Sequence, residues 1–143
     1  MGEKDRKDTL KKFCDWLGVD KTIAETILVI SSDEYYNLEY YLETELSWYT
    51  QSKCVIERLI NEWLPIHSQY CLDLGCGVGF YQRPLLQKIG HGTYIGVDLS
   101  KSGLMVAKNV SIAGNSRRLF VCADGTRLPL PDNSICLLYT SPS

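Results

Sequence analysis

The stretch Tyr70-Cys71-Leu72-Asp73-Leu74-Gly75-Cys76-Gly77-Val78-Gly79 constrains this chain more than any other, because a short apolar run turns directly into alternating glycines. A run of that length and character predicts a strand buried on both faces. Glycine at every second position lets the backbone turn sharply after the strand and lets a ligand approach its N–H groups. A helix is predicted from Arg83 to Ile89, with Pro84 suited to its first turn and Gly90 to its stop. Thr93 to Val97 predicts a second strand, Ser100 caps a helix that turns Leu104, Ala107 and Val110 inward, and Leu119 to Ala123 predicts a third strand. Leu128-Pro129-Leu130-Pro131-Asp132-Asn133 is a loop, since its prolines remove ladder donors. Strand and helix alternating at this spacing make half of a doubly wound parallel α/β sheet.

Before about residue 67 the composition is different. Nine of the eleven glycines lie at or after position 75, whereas all three tryptophans lie before position 64. Ile56, Leu59, Ile60, Trp63 and Leu64 repeat with helical period and predict one apolar stripe facing a core, on a helix ended by Pro65. Leu38, Tyr41, Leu42, Leu46 and Tyr49 fall on a similar stripe, inside a stretch from Ser31 to Ser52 with five acids and no base. A helix or pair of helices is expected between Lys4 and Ile30, broken near Gly18. Residues 1–67 thus read as a helical lid or cap, and residues 68–135 as a partial α/β domain.

Composition excludes several roles. At 143 residues and 45% hydrophobic, one soluble core is expected. A net charge of -2 provides no field for nucleic acid, and no apolar run is long enough for a membrane span or a signal peptide, so a cytoplasmic protein is expected. The six cysteines form no C-x-x-C pair and no zinc-spaced cluster with histidine; reduced, mostly buried thiols and no metal are expected. His67 and His91 stand alone and read as surface loop residues, and the tyrosines from Tyr35 to Tyr49 read as core.

The glycine loop itself admits more than one ligand. A dinucleotide site wants G-x-G-x-x-G, with a third glycine for close helix packing beside the pyrophosphate. Counted from Gly75 that position is Phe80, and counted from Gly77 it is Gln82. Asp73 would also sit poorly beside a pyrophosphate. A P-loop fails for want of Gly-Lys-Ser/Thr. An NAD(P)-dependent oxidoreductase is therefore the weaker alternative, and a non-catalytic binding module is another.

The run from Leu72 to Gly79 resembles the first motif of the class I S-adenosylmethionine-dependent methyltransferases, and Tyr94-Ile95-Gly96-Val97-Asp98-Leu99-Ser100 resembles the second. Asp98 follows Gly75 by 23 residues, near the spacing of about 20 expected of a ribose-binding acid. Ala123-Asp124-Gly125-Thr126-Arg127-Leu128-Pro129 is similar to the adenine-side acid and loop of the family's small-molecule branch, which includes quinone-biosynthesis enzymes. The resemblance implies a Rossmann-like α/β methyltransferase fold with an N-terminal helical segment, and S-adenosyl-L-methionine as cofactor. It implies that Gly75, Cys76, Gly77 and Gly79 cradle the methionine moiety, with Asp73 on its ammonium side. Asp98 would accept from the ribose hydroxyls, Leu99 would pack on the adenine, and Asp124 beside Gly125 would accept from the adenine amino group. Methyl would pass to a small-molecule acceptor. No catalytic base is named.

The chain departs from that pattern at its end. Family members usually carry Asp where Cys136 stands, and the parallel sheet is C-terminally truncated. Cys136-Leu137-Leu138-Tyr139-Thr140-Ser141-Pro142-Ser143 reads as the translation of a sequencing-library adapter, so residues 136–143 are expected to be foreign to the gene. The other reading is a natural fourth strand from Ile135 to Tyr139. Were the sheet to stop at the third strand, the far edge of the first would be unpaired.

Overall fold

The computed structural model of the chain describes residues 2–30, 40, 43, 46–64, 69–114, 116–135 and 137–140. In chain order the elements are α1 (Glu3–Leu17), α2 (Lys21–Ile30), α3 (Leu46–Trp63), β1 (Tyr70–Leu74), α4 (Gln82–Ile89), β2 (Thr93–Asp98), α5 (Lys101–Lys108), β3 (Arg117–Cys122) and β4 (Leu137–Thr140). The strands form one parallel sheet ordered β3-β2-β1-β4. Winding runs outward from β1 through β2 to β3, then reverses to place β4 on the other side. The crevice beyond the C-terminal end of β1 is the topological switch point, where open α/β sheets take their ligands.

Local chemistry accounts for the helix ends. Gly18 stops α1 in a left-handed conformation (φ 77°), as expected of a break there, and returns its N–H to the Cys14 carbonyl. The Ser100 hydroxyl accepts the Gly103 N–H at 3.0 Å and so caps α5. Leu104, Ala107 and Val110 are buried as expected, and Gly90 closes α4.

The two faces of the sheet differ. Cys71, Tyr94 and Phe120 face α4, whose Leu85, Leu86 and Ile89 pack on them together with Ile60 of α3. Helices α1 and α2 share a second cluster with Val78 of the glycine loop and with Val106 and Val110, so the N-terminal segment is built into the same core. Leu72, Ile95 and Val97 face the other way and are covered by Leu128, Leu130 and Ile135 from the proline-rich loop. That segment forms no strand, as predicted.

Two expectations need correction. Leu59 (47% exposed) and Trp63 (77% exposed) do not face the core; only Ile56, Ile60 and Leu64 of the proposed stripe pack inward. Among the described residues helix α3 packs chiefly on α4, and one main neighbour covers a narrower stripe than a full core would. Strand β3 starts earlier than predicted, at Arg117, because Arg118 finds carbonyl partners that its charge concealed in the sequence. The far edge of β1 is paired by the short edge strand β4, with Leu72 opposite Leu138 in register, close to the fourth strand read from Ile135 to Tyr139, so the sheet edges are β3 and β4. Pro65, His67 and most of the Tyr35–Tyr49 stripe lie outside the described residues. Cys14, Cys71 and Cys76 are buried free thiols, while Cys54 and Cys122 are exposed.

Candidate functional site

The parallel register brings the ends of β1, β2 and β3 together. Asp73, Asp98 and Asp124 stand at or just beyond these three ends. Gly75, Gly77 and Gly79 all have positive φ (74°, 53° and 84°), which side-chain-bearing residues rarely adopt. A Cβ at Gly75 would meet nothing within 4 Å, so the space above the loop is open.

Hydrogen bonds hold the loop in place. The Gly75 and Cys76 N–H groups donate to the Val97 carbonyl at 2.8 and 3.1 Å. One Asp98 oxygen accepts the Gly77 N–H at 2.8 Å and the other accepts the Ser100 N–H at 2.7 Å. Asp98 therefore clasps the glycine loop to the β2–α5 turn. Each carboxylate oxygen still has a lone pair for a further donor.

Asp73 is 1% exposed. Its Oδ2 accepts the Tyr94 hydroxyl at 2.6 Å, while its Oδ1 is buried without a hydrogen-bond partner among the described residues. Burial is the largest influence on this carboxyl, and together with nearby Asp98 it outweighs the Tyr94 hydrogen bond, pushing the pKa from 3.8 up to about 7. Burial likewise raises the Cys76 thiol well above its ordinary value and the Cys71 thiol to about 12, so neither is a nucleophile at neutral pH.

Asp124 is exposed, and its Oδ1 accepts the backbone N–H and the hydroxyl of Thr126, both at 2.8 Å; these bonds hold its carboxyl below the ordinary range. The loop after it folds back across the sheet, since a Cβ at Gly125 would lie 3.3 Å from Leu74 Cδ1. Leu99 is 63% exposed beside Asp98. Tyr94 was missed by sequence reasoning, although a tyrosine in an otherwise apolar buried strand needs a partner for its hydroxyl. Among the described residues no acidic, cysteine or histidine cluster could hold a metal, and no helix is long and apolar enough to cross a membrane.

A family model described as "Methyltransferase domain" matches residues 71–142, which span all of these groups. The chain belongs to the class I S-adenosylmethionine-dependent methyltransferases. The cofactor of this methyltransferase family is S-adenosylmethionine. Among curated relatives, a malonyl-[acyl-carrier protein] O-methyltransferase of Marinomonas sp. (strain MWYL1) is 38% identical over 91 residues, 62% of this chain and 33% of that protein. A second, from Gallionella capsiferriformans (strain ES-2), is 32% identical over 92 residues, 61% of this chain and 31% of its own length. The chain thus spans about a third of the relatives it matches. A chain from a complex of the Haloferax volcanii Trm112 methyltransferase activator with a methyltransferase superposes with a TM-score of 0.60 at 18% identity, over 71% of this chain and 45% of that one. Phosphoethanolamine N-methyltransferase 1 of Haemonchus contortus, solved with phosphoethanolamine and S-adenosylhomocysteine, gives 0.50 at 15% identity, over 98% and 26%. At such identities these structures establish the methyltransferase fold alone.

Proposed function

We propose that this chain carries the cofactor-binding part of an enzyme that transfers methyl from S-adenosylmethionine to a small-molecule acceptor. The observation that carries this reading is the buried Asp73 with one oxygen unpartnered, beneath an open glycine loop and one strand from Asp98. The cofactor presents an ammonium and a sulfonium, and carboxylates suit a net cation. Asp73 would hold the ammonium side. Gly75, Cys76, Gly77 and Gly79 would lie against the methionine moiety, Asp98 would accept from the ribose, and Leu99, Asp124 and Gly125 would meet the adenine. When bound, the cofactor supplies an electrophilic methyl group. The protein's own work is then to align donor and acceptor and to exclude water.

Gln82 argues against a dinucleotide. At the position of a third glycine it is fully buried, with its Nε2 donating to the Ala107 carbonyl at 3.0 Å, so the helix cannot close on a pyrophosphate there. The names of the curated relatives favour a second acceptor reading, a malonyl group carried on acyl-carrier protein. Titration calorimetry with S-adenosylhomocysteine and with NAD tests the cofactor reading. Saturable binding of the first and no heat from the second is expected; the reverse would overturn it.

A further inference from the structure

Tyr94 lies opposite Cys71 in the β1–β2 register, whereas Asp73 lies opposite Gly96. For its hydroxyl to reach Asp73, the Tyr94 side chain must therefore run along the sheet, past Gly96, toward the C-terminal end. Gly96 makes that path possible. A Cβ there would sit 3.1 Å from Tyr94 Cε1, 3.1 Å from the Phe120 ring and 3.0 Å from Cys76 Sγ. Phe120 flanks the tyrosine at a ring separation of 5.9 Å, and both Tyr94 and Asp73 are buried. The result is a fitted slot that ends in one hydrogen bond of 2.6 Å to Oδ2 and leaves Oδ1 unpartnered.

We propose that Tyr94 is a positioning residue for cofactor binding: its hydroxyl fixes the Asp73 carboxylate through Oδ2, so that Oδ1 is the oxygen offered to the cofactor's α-ammonium group. This rests on the assignment of Asp73 to the ammonium side. A carboxylate free to rotate would lose alignment with a fixed cation, whereas one anchored oxygen leaves the other in a single place. The groups acting on the pair are few. Asp98 on β2 repels charge on Asp73, the Cys71 and Cys76 thiols act on Tyr94 from β1 and the glycine loop, and Tyr94 in turn acts on Arg118 of β3.

The test compares S-adenosylhomocysteine with an analogue that lacks only the α-amino group, binding each to the full chain and to Tyr94→Phe. The unaltered chain is expected to prefer the amino-bearing ligand by about tenfold or more, the scale of a hydrogen bond to a charged group. Tyr94→Phe is expected to lose most of that preference while holding the desamino analogue as tightly as before. Equal weakening of both ligands would assign Tyr94 a purely structural role and overturn the inference, as would an unchanged preference. An unaltered chain that binds both ligands alike overturns the Asp73 assignment and this inference with it; one that binds neither overturns the cofactor reading as well. Because the substitution could impair folding, the unaltered chain provides a second readout. The Tyr94 Cζ resonance of ¹³C-tyrosine-labelled protein should shift with S-adenosylhomocysteine and not with the desamino analogue, and a resonance indifferent to both overturns the proposal.

Discussion

A carboxyl group taken out of water without a cation opposes folding when it ionises, and Asp73 is in that position. Its folded-state pKa is raised from 3.8 to about 7, so the stability linked to its proton is fully present below the lower value. That contribution is lost as pH climbs toward the higher one. Asp73→Asn should therefore melt at a temperature that gains on the unaltered chain between pH 3.8 and about 7 and then holds its lead. A gap independent of pH would show that Asp73 does not titrate in that window. The same variant should bind S-adenosylhomocysteine more weakly, since the buried charge that burdens the fold is the one we assign to the ammonium. Asp98 acts differently, as both of its oxygens accept backbone N–H groups from the two sides of the cradle. Asp98→Ala should lose about 1.5 to 3 kcal/mol of cofactor binding, the range for hydrogen bonds to a charged group. An unchanged dissociation constant in a normally folded variant would remove Asp98 from the site.

Between elements, one polar knot fixes both helices to the sheet. Arg118 of β3 donates to Gln82 Oε1 at 2.8 Å and to the Val110 carbonyl at 3.1 Å, while Gln82 of α4 donates to the Ala107 carbonyl at the end of α5. The Ala107 carbonyl at the end of α5 also accepts the Val110 N–H at 3.3 Å, while the Val110 carbonyl lies just past the helix and takes the guanidinium. Arg118→Leu would strand the Val110 carbonyl together with the Gln82 oxygen, and a loss of about 1 to 3 kcal/mol is expected in urea unfolding. A midpoint unmoved by the substitution would mean that water replaces the guanidinium at no cost. The knot also shows what the sequence could convey. Ser100, Gly18 and Gly90 act on their own helices within a few residues, and the cap and stops read from them match the structure. The order of strands and helices was legible for the same reason. Tyr94 and Asp73 are 21 residues apart and Arg118 and Gln82 are 36 apart, and such partners meet only once the register is set. The three acids could be placed at strand ends from their position after apolar runs, whereas the bond from Asp98 to Gly77 depends on how the loop curls. The stripe on α3 was read too broadly because periodicity tells which side of a helix is apolar and not how many neighbours cover it.

Across the whole molecule, the sheet is unequally clothed. The face bearing Tyr94 and Phe120 lies under helices, whereas the row Leu119, Ile95, Leu72 and Leu138 crosses the opposite face with its ends 48% and 56% exposed. We propose that residues 136–143 are adapter-derived, in which case β4 pairs with β1 in place of the native strand. Reading the source DNA should replace Cys136 onward with another continuation, and the 143-residue chain should be poorly soluble and without turnover. A genomic reading frame that ends at Ser143, together with methyl transfer by the short chain, would refute this. The unequal clothing also has a bearing on biosynthesis. Strands β1 to β3 each pair with a sequence neighbour through a single intervening helix, so the helix-covered side can be assembled from nearby contacts while later residues are still within the ribosome. During that interval the opposite side faces water as an oily plate, and the speed of translation past Ile135 becomes one determinant of how much protein escapes aggregation.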